Sequence, residues 1–287
     1  MKQLGKNIWF LLKSSWHEFG KDNAISLSAS LSFYMLFSLP LLSIAILSVF
    51  NLLFGVDATK EEIFGQITVL VGNTTAVRIQ EMIKTINLSN SSAFATVSGI
   101  VVVLIGAAGV FSGMQSSINY IWGIKPKVKH GLVNILRNSL MSLFMIGAAG
   151  FLLITGLITD ILMHLLSGNS INPPSQMVSF LFSLLNFLIV FFLITLLFTL
   201  IFKALPDGKI RTKDSLIGAL FTSSLFFMGK FVIGAYIGGA HIISMYGAVG
   251  SVTILLIWVY YSSIILYFGA EFTKVYSRKH GVKIMSI

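Results

Sequence analysis

The sequence predicts an all-α fold: a polytopic membrane helical bundle with six transmembrane helices, an amphipathic helix ahead of the first span, and both termini cytoplasmic. Three observations predict it. Hydrophobic residues fill 55% of the 287 positions and charged residues only 10%, whereas a soluble domain carries roughly a quarter charged residues. Six continuously apolar runs are each long enough to cross a hydrocarbon core about 30 Å thick. The basic residues collect in alternate connections between those runs, as cytoplasmic loops require.

The elements follow in order. Residues 1–28 form a cytoplasmic arm in which Leu4, Ile8, Leu11, Leu12, Trp16 and Phe19 recur at helical spacing among lysines. That pattern suits a helix lying in the membrane interface, or one docked on the cytoplasmic ends of the bundle. Asp22 is expected to N-cap the helix of the first span. The membrane domain covers 29–271, with approximate spans at 29–54, 95–122, 138–166, 178–205, 215–236 and 249–270. Continuous rather than alternating apolarity favours helices over a barrel. Pro40 is expected to kink the first span. Residues 55–94 make the one sizeable external loop, with short amphipathic helices. A basic cytoplasmic tail, 272–287, completes a single membrane domain.

Orientation comes from the Lys and Arg count. The arm, the second-to-third connection, the fourth-to-fifth connection and the tail hold four basic residues each, and the opposite side holds Lys60, Arg78 and Lys84. The formal net charge of +10 is therefore topological, and nucleic acid is not an expected partner. The chain has no cysteine, which excludes disulfides and thiolate metal sites.

Ionisable groups within membrane spans are costly and often functional. Lys230 lies in an apolar run, LFFMGKFVIGAY, about 24 Å from the start of the fifth span at 1.5 Å per residue. It either snorkels to the outer interface or faces a cavity, where Asp160 and His164, one helical turn apart in the third span, are candidate partners. Glu271 closes the last span. It is either solvated or pairs with a base of the 203–213 loop to lock the cytoplasmic face. Gln115 and Asn119, at i and i+4, share one face of the second span, and Tyr34 stands among serines of the first. Gly109-x-x-x-Gly113 and Gly234-x-x-x-Gly238 allow close helix approach. The five histidines form no zinc-binding cluster, and Walker A and G-x-S-x-G motifs are absent. No metal, cofactor or catalytic group is expected.

Four stretches carry a family resemblance: SASLSFYMLFSLPLL, GVFSGMQSSINYIWGIK, KALPDGKIRTKDSLIGAL and YGAVGSVTILLIWVYYSSIILYFGAEFT. Together they resemble the YihY/BrkB family of bacterial inner-membrane proteins, from about residue 10 to 275. The resemblance implies a six-span protein of the bacterial cytoplasmic membrane, in a family some of whose members are named for virulence or serum resistance. Its motif positions fall on Ser30, Phe33, Tyr34, Ser38, Pro40, Gln115, Asn119, Trp122, Pro206, Gly218, Lys230, Tyr236, Tyr246, Gly247, Trp258, Gly269 and Glu271. Tyr34 and Tyr246 join Lys230, Glu271, Asp160, His164, Gln115 and Asn119 as candidate cavity or gating residues. An older ribonuclease label of the family conflicts with this chain, which lacks the H-x-H-x-D-H cluster of metallo-hydrolases.

The function expected is transport or lipid handling, not catalysis. A non-catalytic scaffold supporting envelope integrity or virulence is the alternative. The expected partners are the lipid bilayer, an anionic small molecule or lipid as substrate, and a second copy of the chain.

Overall fold

The computed structural model describes residues 2–36, 109–124, 176–239, 242–280 and 284–286. Within them lie six helices and one two-stranded ribbon. Helix α1 is Lys2–Lys21, α2 is Ala24–Leu36, and α3 covers 109–122. Helix α4 is Gln176–Ala204, strand β1 is Gly208–Lys209, α5 is Thr212–Gly239, α6 is Ile242–Lys279, and β2 is Met285–Ser286. The described residues are thus mostly helical.

Two stretches are long and apolar enough to cross a membrane, Leu184–Ala204 in α4 and Leu256–Lys279 in α6. Helix α4 is apolar all round, and Phe180, Leu181, Leu185, Leu188 and Phe192 are exposed along it. Water would drive association through such a surface, whereas lipid tolerates it. Helices α4, α5 and α6 overlap the runs predicted as the fourth, fifth and sixth spans. Helix α6 runs two turns past the predicted end of the sixth span at residue 270, into the segment read as tail. The third predicted span, with Asp160 and His164, lies outside the described residues, as do Pro40 and the 55–94 loop.

Helix ends are set by local chemistry. Between α1 and α2 the chain turns at Asp22 and Asn23, and Asn23 adopts φ 55°, a left-handed conformation that asparagine tolerates better than most residues. Its carbonyl accepts from the amides of Ser26 and Leu27 and so opens α2. Asp22 does not cap that helix as expected, because its carboxylate is drawn to Lys274 on α6, 2.6 Å away. Helix α3 ends at Gly123, with φ 67°. The Gly123 amide donates to the Tyr120 carbonyl and the Ile124 amide to that of Asn119, the paired bonds of a Schellman termination.

Helix α4 packs on α5, α5 on α6, and α6 on α1. The α5–α6 contact is reciprocal. A Cβ on Gly218 would fall 1.8 Å from Thr273 Oγ1, and one on Gly269 would fall 1.9 Å from Thr222 Oγ1. Each threonine therefore sits in the notch left by the other helix's glycine. Its hydroxyl is satisfied within its own helix: Thr222 donates to Gly218 O and Thr273 to Gly269 O, both at 2.7 Å. Nearby, Phe221 and Phe272 stack with centroids 3.9 Å apart. Of the glycine pairs expected to mediate close approach, Gly113 lies against the Tyr34 ring, 3.4 Å from where its Cβ would stand.

One end of the molecule gathers α1, the α1–α2 turn, the C-terminal ends of α3, α4 and α6, the start of α5, and the ribbon. There β1 pairs antiparallel with β2, Gly208 opposite Ser286. Trp122 Nε1 donates to Ala270 O at 3.0 Å, and Ser277 Oγ to the buried Asp214 carboxylate at 3.2 Å.

Candidate functional site

The densest group of ionisable side chains lies where α1 crosses the end of α6. On α6, Glu271, Lys274 and Arg278 follow at i, i+3 and i+7, so they share a face. Glu18 and Asp22, four residues apart, face them from the end of α1 and the turn after it. Lys274 Nζ lies 2.6 Å from Asp22, 2.9 Å from Glu18 and 3.1 Å from Glu271. Arg278 reaches Glu18 at 3.5 Å from the rim. Glu271 is fully buried and Lys274 nearly so.

Three carboxylates thus surround one buried ammonium, which stands where a bound cation would otherwise be. The hydrogen bond from Lys274 is the largest influence on Glu18 and holds its carboxyl below the ordinary value. Burial opposes this, while Lys274, Arg278 and Lys21 add further attraction. Inside the cluster one acceptor is left over: Oε1 of Glu271 is buried and accepts no hydrogen bond.

The expectation that Glu271 is solvated or pairs with the 203–213 loop is overturned. Its partner is Lys274, because α6 continues past residue 270 and brings the two into helical register, and α1 then covers both. Among the described residues the loop's bases make no ion pair with it. Lys203 instead donates to the Ile210 carbonyl and closes its own turn.

Glu271 also ends a buried polar stripe. Ser263, Tyr267 and Glu271 recur every four residues on α6 and are all buried. Ser32 of α2 meets the stripe, its hydroxyl 3.4 Å from that of Ser263.

Gln115 and Asn119 share a face as expected, and that face grips the turn after α4. Asn119 Nδ2 donates to Asp207 Oδ2 at 2.9 Å, and its Oδ1 accepts from the Asp207 amide at 2.9 Å. Gln115 Nε2 adds a bond to the same carboxylate at 3.2 Å. Lys230 is exposed on α5. Tyr34 is half exposed, edge-on to Phe33. Tyr246 lies in α6, and its side chain falls outside the described residues, as do Asp160 and His164. Structure therefore brings Gln115 to Asn119, and Glu271 to residues that sequence reasoning did not select. Glu18 was missed, and Lys274 was not selected as a site residue. The signal was present as helical spacing within Glu18/Asp22 and within Glu271/Lys274/Arg278.

A mostly helical chain with lipid-compatible helices and a buried charge cluster at one end is an integral membrane protein. This one belongs to the virulence factor BrkB family, whose model matches residues 15–285. Similar curated proteins are UPF0761 membrane proteins. That of Pseudomonas paraeruginosa is 25% identical over 263 residues, covering 88% of this chain and 59% of the relative. That of Alkalilimnicola ehrlichii is 26% identical, covering 89% of this chain and 56% of the relative. That of Pseudoalteromonas translucida is 26% identical and is covered over 81% of its length. The chain thus spans somewhat over half the length of the first two relatives. None of these names states a reaction. No solved structure matches the chain. The protein is a bacterial membrane protein of helical type.

Proposed function

We propose that this chain is a six-span transporter or lipid-handling protein of the cytoplasmic membrane, with both termini in the cytoplasm. The observation that carries the reading is the buried stripe Ser263–Tyr267–Glu271, ending in a carboxylate with an unpartnered oxygen. At 1.5 Å per residue it extends about 12 Å along α6. Polar groups of this kind inside a lipid-crossing helix are expensive, and they mark solute or ion pathways. The ammonium and carboxylates tying α1 to α6 close the stripe at one end, as a gate would. Lys230 supports anionic cargo: it is exposed on α5 and has no ion pair among the described residues.

The test is flux into liposomes holding the purified chain, screened with anionic metabolites and labelled anionic phospholipids. A substrate should emerge whose flux falls at least about tenfold in Glu271→Gln, equivalent to about 1.4 kcal/mol of barrier, and is abolished in Lys230→Met. Both variants should remain monodisperse in detergent. Folded protein that moves none of the candidates would defeat the reading and favour a non-catalytic scaffold.

A further inference from the structure

Helix α1 has four distinguishable sides, and its contacts with α6 orient them. At 100° per residue, Leu11, Ser15 and Phe19 form the packed side and are buried. On one flank Asn7 accepts from Lys279 at 2.8 Å, and Glu18 meets Lys274 and Arg278. Asn7 and Glu18, eleven residues apart, point the same way, toward the charged end of α6. The opposite flank points up α6 toward its apolar part: Trp16 and Phe19 contact the Phe268 ring at 6.1 and 5.6 Å between centroids.

Trp9, seven residues before Trp16, lies on that same apolar-facing flank. The two indoles are 70% and 72% exposed, although large aromatic side chains are normally covered. Lys6 and Lys13 border them on the outer side and are exposed. The sequence before Glu18 holds no acidic residue, and Glu18 itself is engaged by Lys274. Two indoles at the depth where a lipid-crossing helix becomes charged, edged by lysines that make no ion pair among the described residues, match the chemistry of the headgroup layer.

We propose that the Trp9/Trp16 flank of α1, with Lys6 and Lys13, is a binding surface for anionic phospholipid headgroups of the leaflet at this end of the bundle. The indoles lie at the boundary between headgroups and acyl chains, and the lysines reach phosphate. Helix α1 is then held from two sides, by α6 through Leu11, Phe19 and Lys274, and by lipid through its tryptophans. This rests on α6 crossing the membrane but not on transport.

The absence of native cysteine permits unique labelling. Spin labels at Trp9→Cys and Asn7→Cys are compared in the full chain, reconstituted in nanodiscs of phosphatidylglycerol and phosphatidylcholine. The label at 9 should be relaxed by oxygen and shielded from a water-soluble nickel complex, and the label at 7 should show the reverse. Native mass spectrometry should show retained phosphatidylglycerol, with its preference over phosphatidylcholine falling roughly fivefold for each of Lys6→Gln and Lys13→Gln. Equal nickel access at 9 and 7 would overturn the proposal. So would a label at 9 shielded from both reagents with spin–spin broadening, which would mean a second copy. An unchanged lipid preference in the double lysine variant would overturn its anionic part.

Discussion

Lys274 is the residue on which the α1 end depends most. Removing one partner from a buried charge group costs about 3–5 kcal/mol, because the others keep their desolvation without compensation. Lys274→Met should therefore lower the thermal unfolding midpoint in detergent far more than Arg278→Gln. Arg278 is half exposed and only at the rim, where such pairs contribute about 0–1 kcal/mol. Glu18 adds a pH dependence whose sign follows from its lowered value. In the unfolded chain it titrates near 4.5 and in the folded chain below that. Its stabilisation is complete above about pH 4.5 and is lost as pH falls through the folded value. The mobility of a label on α1 should rise on acidification below pH 4.5, and Glu18→Gln should remove that part of the response.

At the scale of elements, the α5–α6 contact is governed by two glycine notches that accept threonines. Gly218→Ala places a methyl within 1.8 Å of Thr273 Oγ1, so the helices must separate or the threonine must change rotamer, at a cost of about 1–3 kcal/mol. Combining it with Thr273→Ala should recover much of that loss, a favourable coupling that a double-mutant cycle on thermal stability would measure. Gly20→Ala, at an exposed position in α1, should by contrast be neutral or stabilising by up to about 1 kcal/mol. Small residues in the sequence pointed to close packing, but by spacing they pointed to Gly109/Gly113 and Gly234/Gly238. A Gly-x-x-x-Thr pair shows its purpose only when the facing helix is known.

At the scale of the whole molecule, four segments predicted to share one side are the arm, the connection after the second span, the connection between the fourth and fifth, and the tail. The start or end of each meets the others at the α1 end. Single cysteines at Ser14, Lys127, Lys209 and Arg278 should therefore react with an impermeant maleimide only after cells are opened. Labelling of Lys127→Cys from outside would reverse the orientation. The class, a helical membrane protein, was legible in the sequence, because apolar run length and flanking charge are local quantities and lipid acts on each segment separately. The helices α4–α6, the helical arm and the Gln115/Asn119 face could all be read in this way. The partners of those groups were decided only by tertiary structure. Lys274 meets Asp22 across 252 positions, Asn119 meets Asp207 across 88, and α1 leaves Trp9 and Trp16 exposed while α6 occupies another of its sides. A side chain's own spacing says which way it points along its helix, but the charge it meets there is supplied by a distant part of the chain.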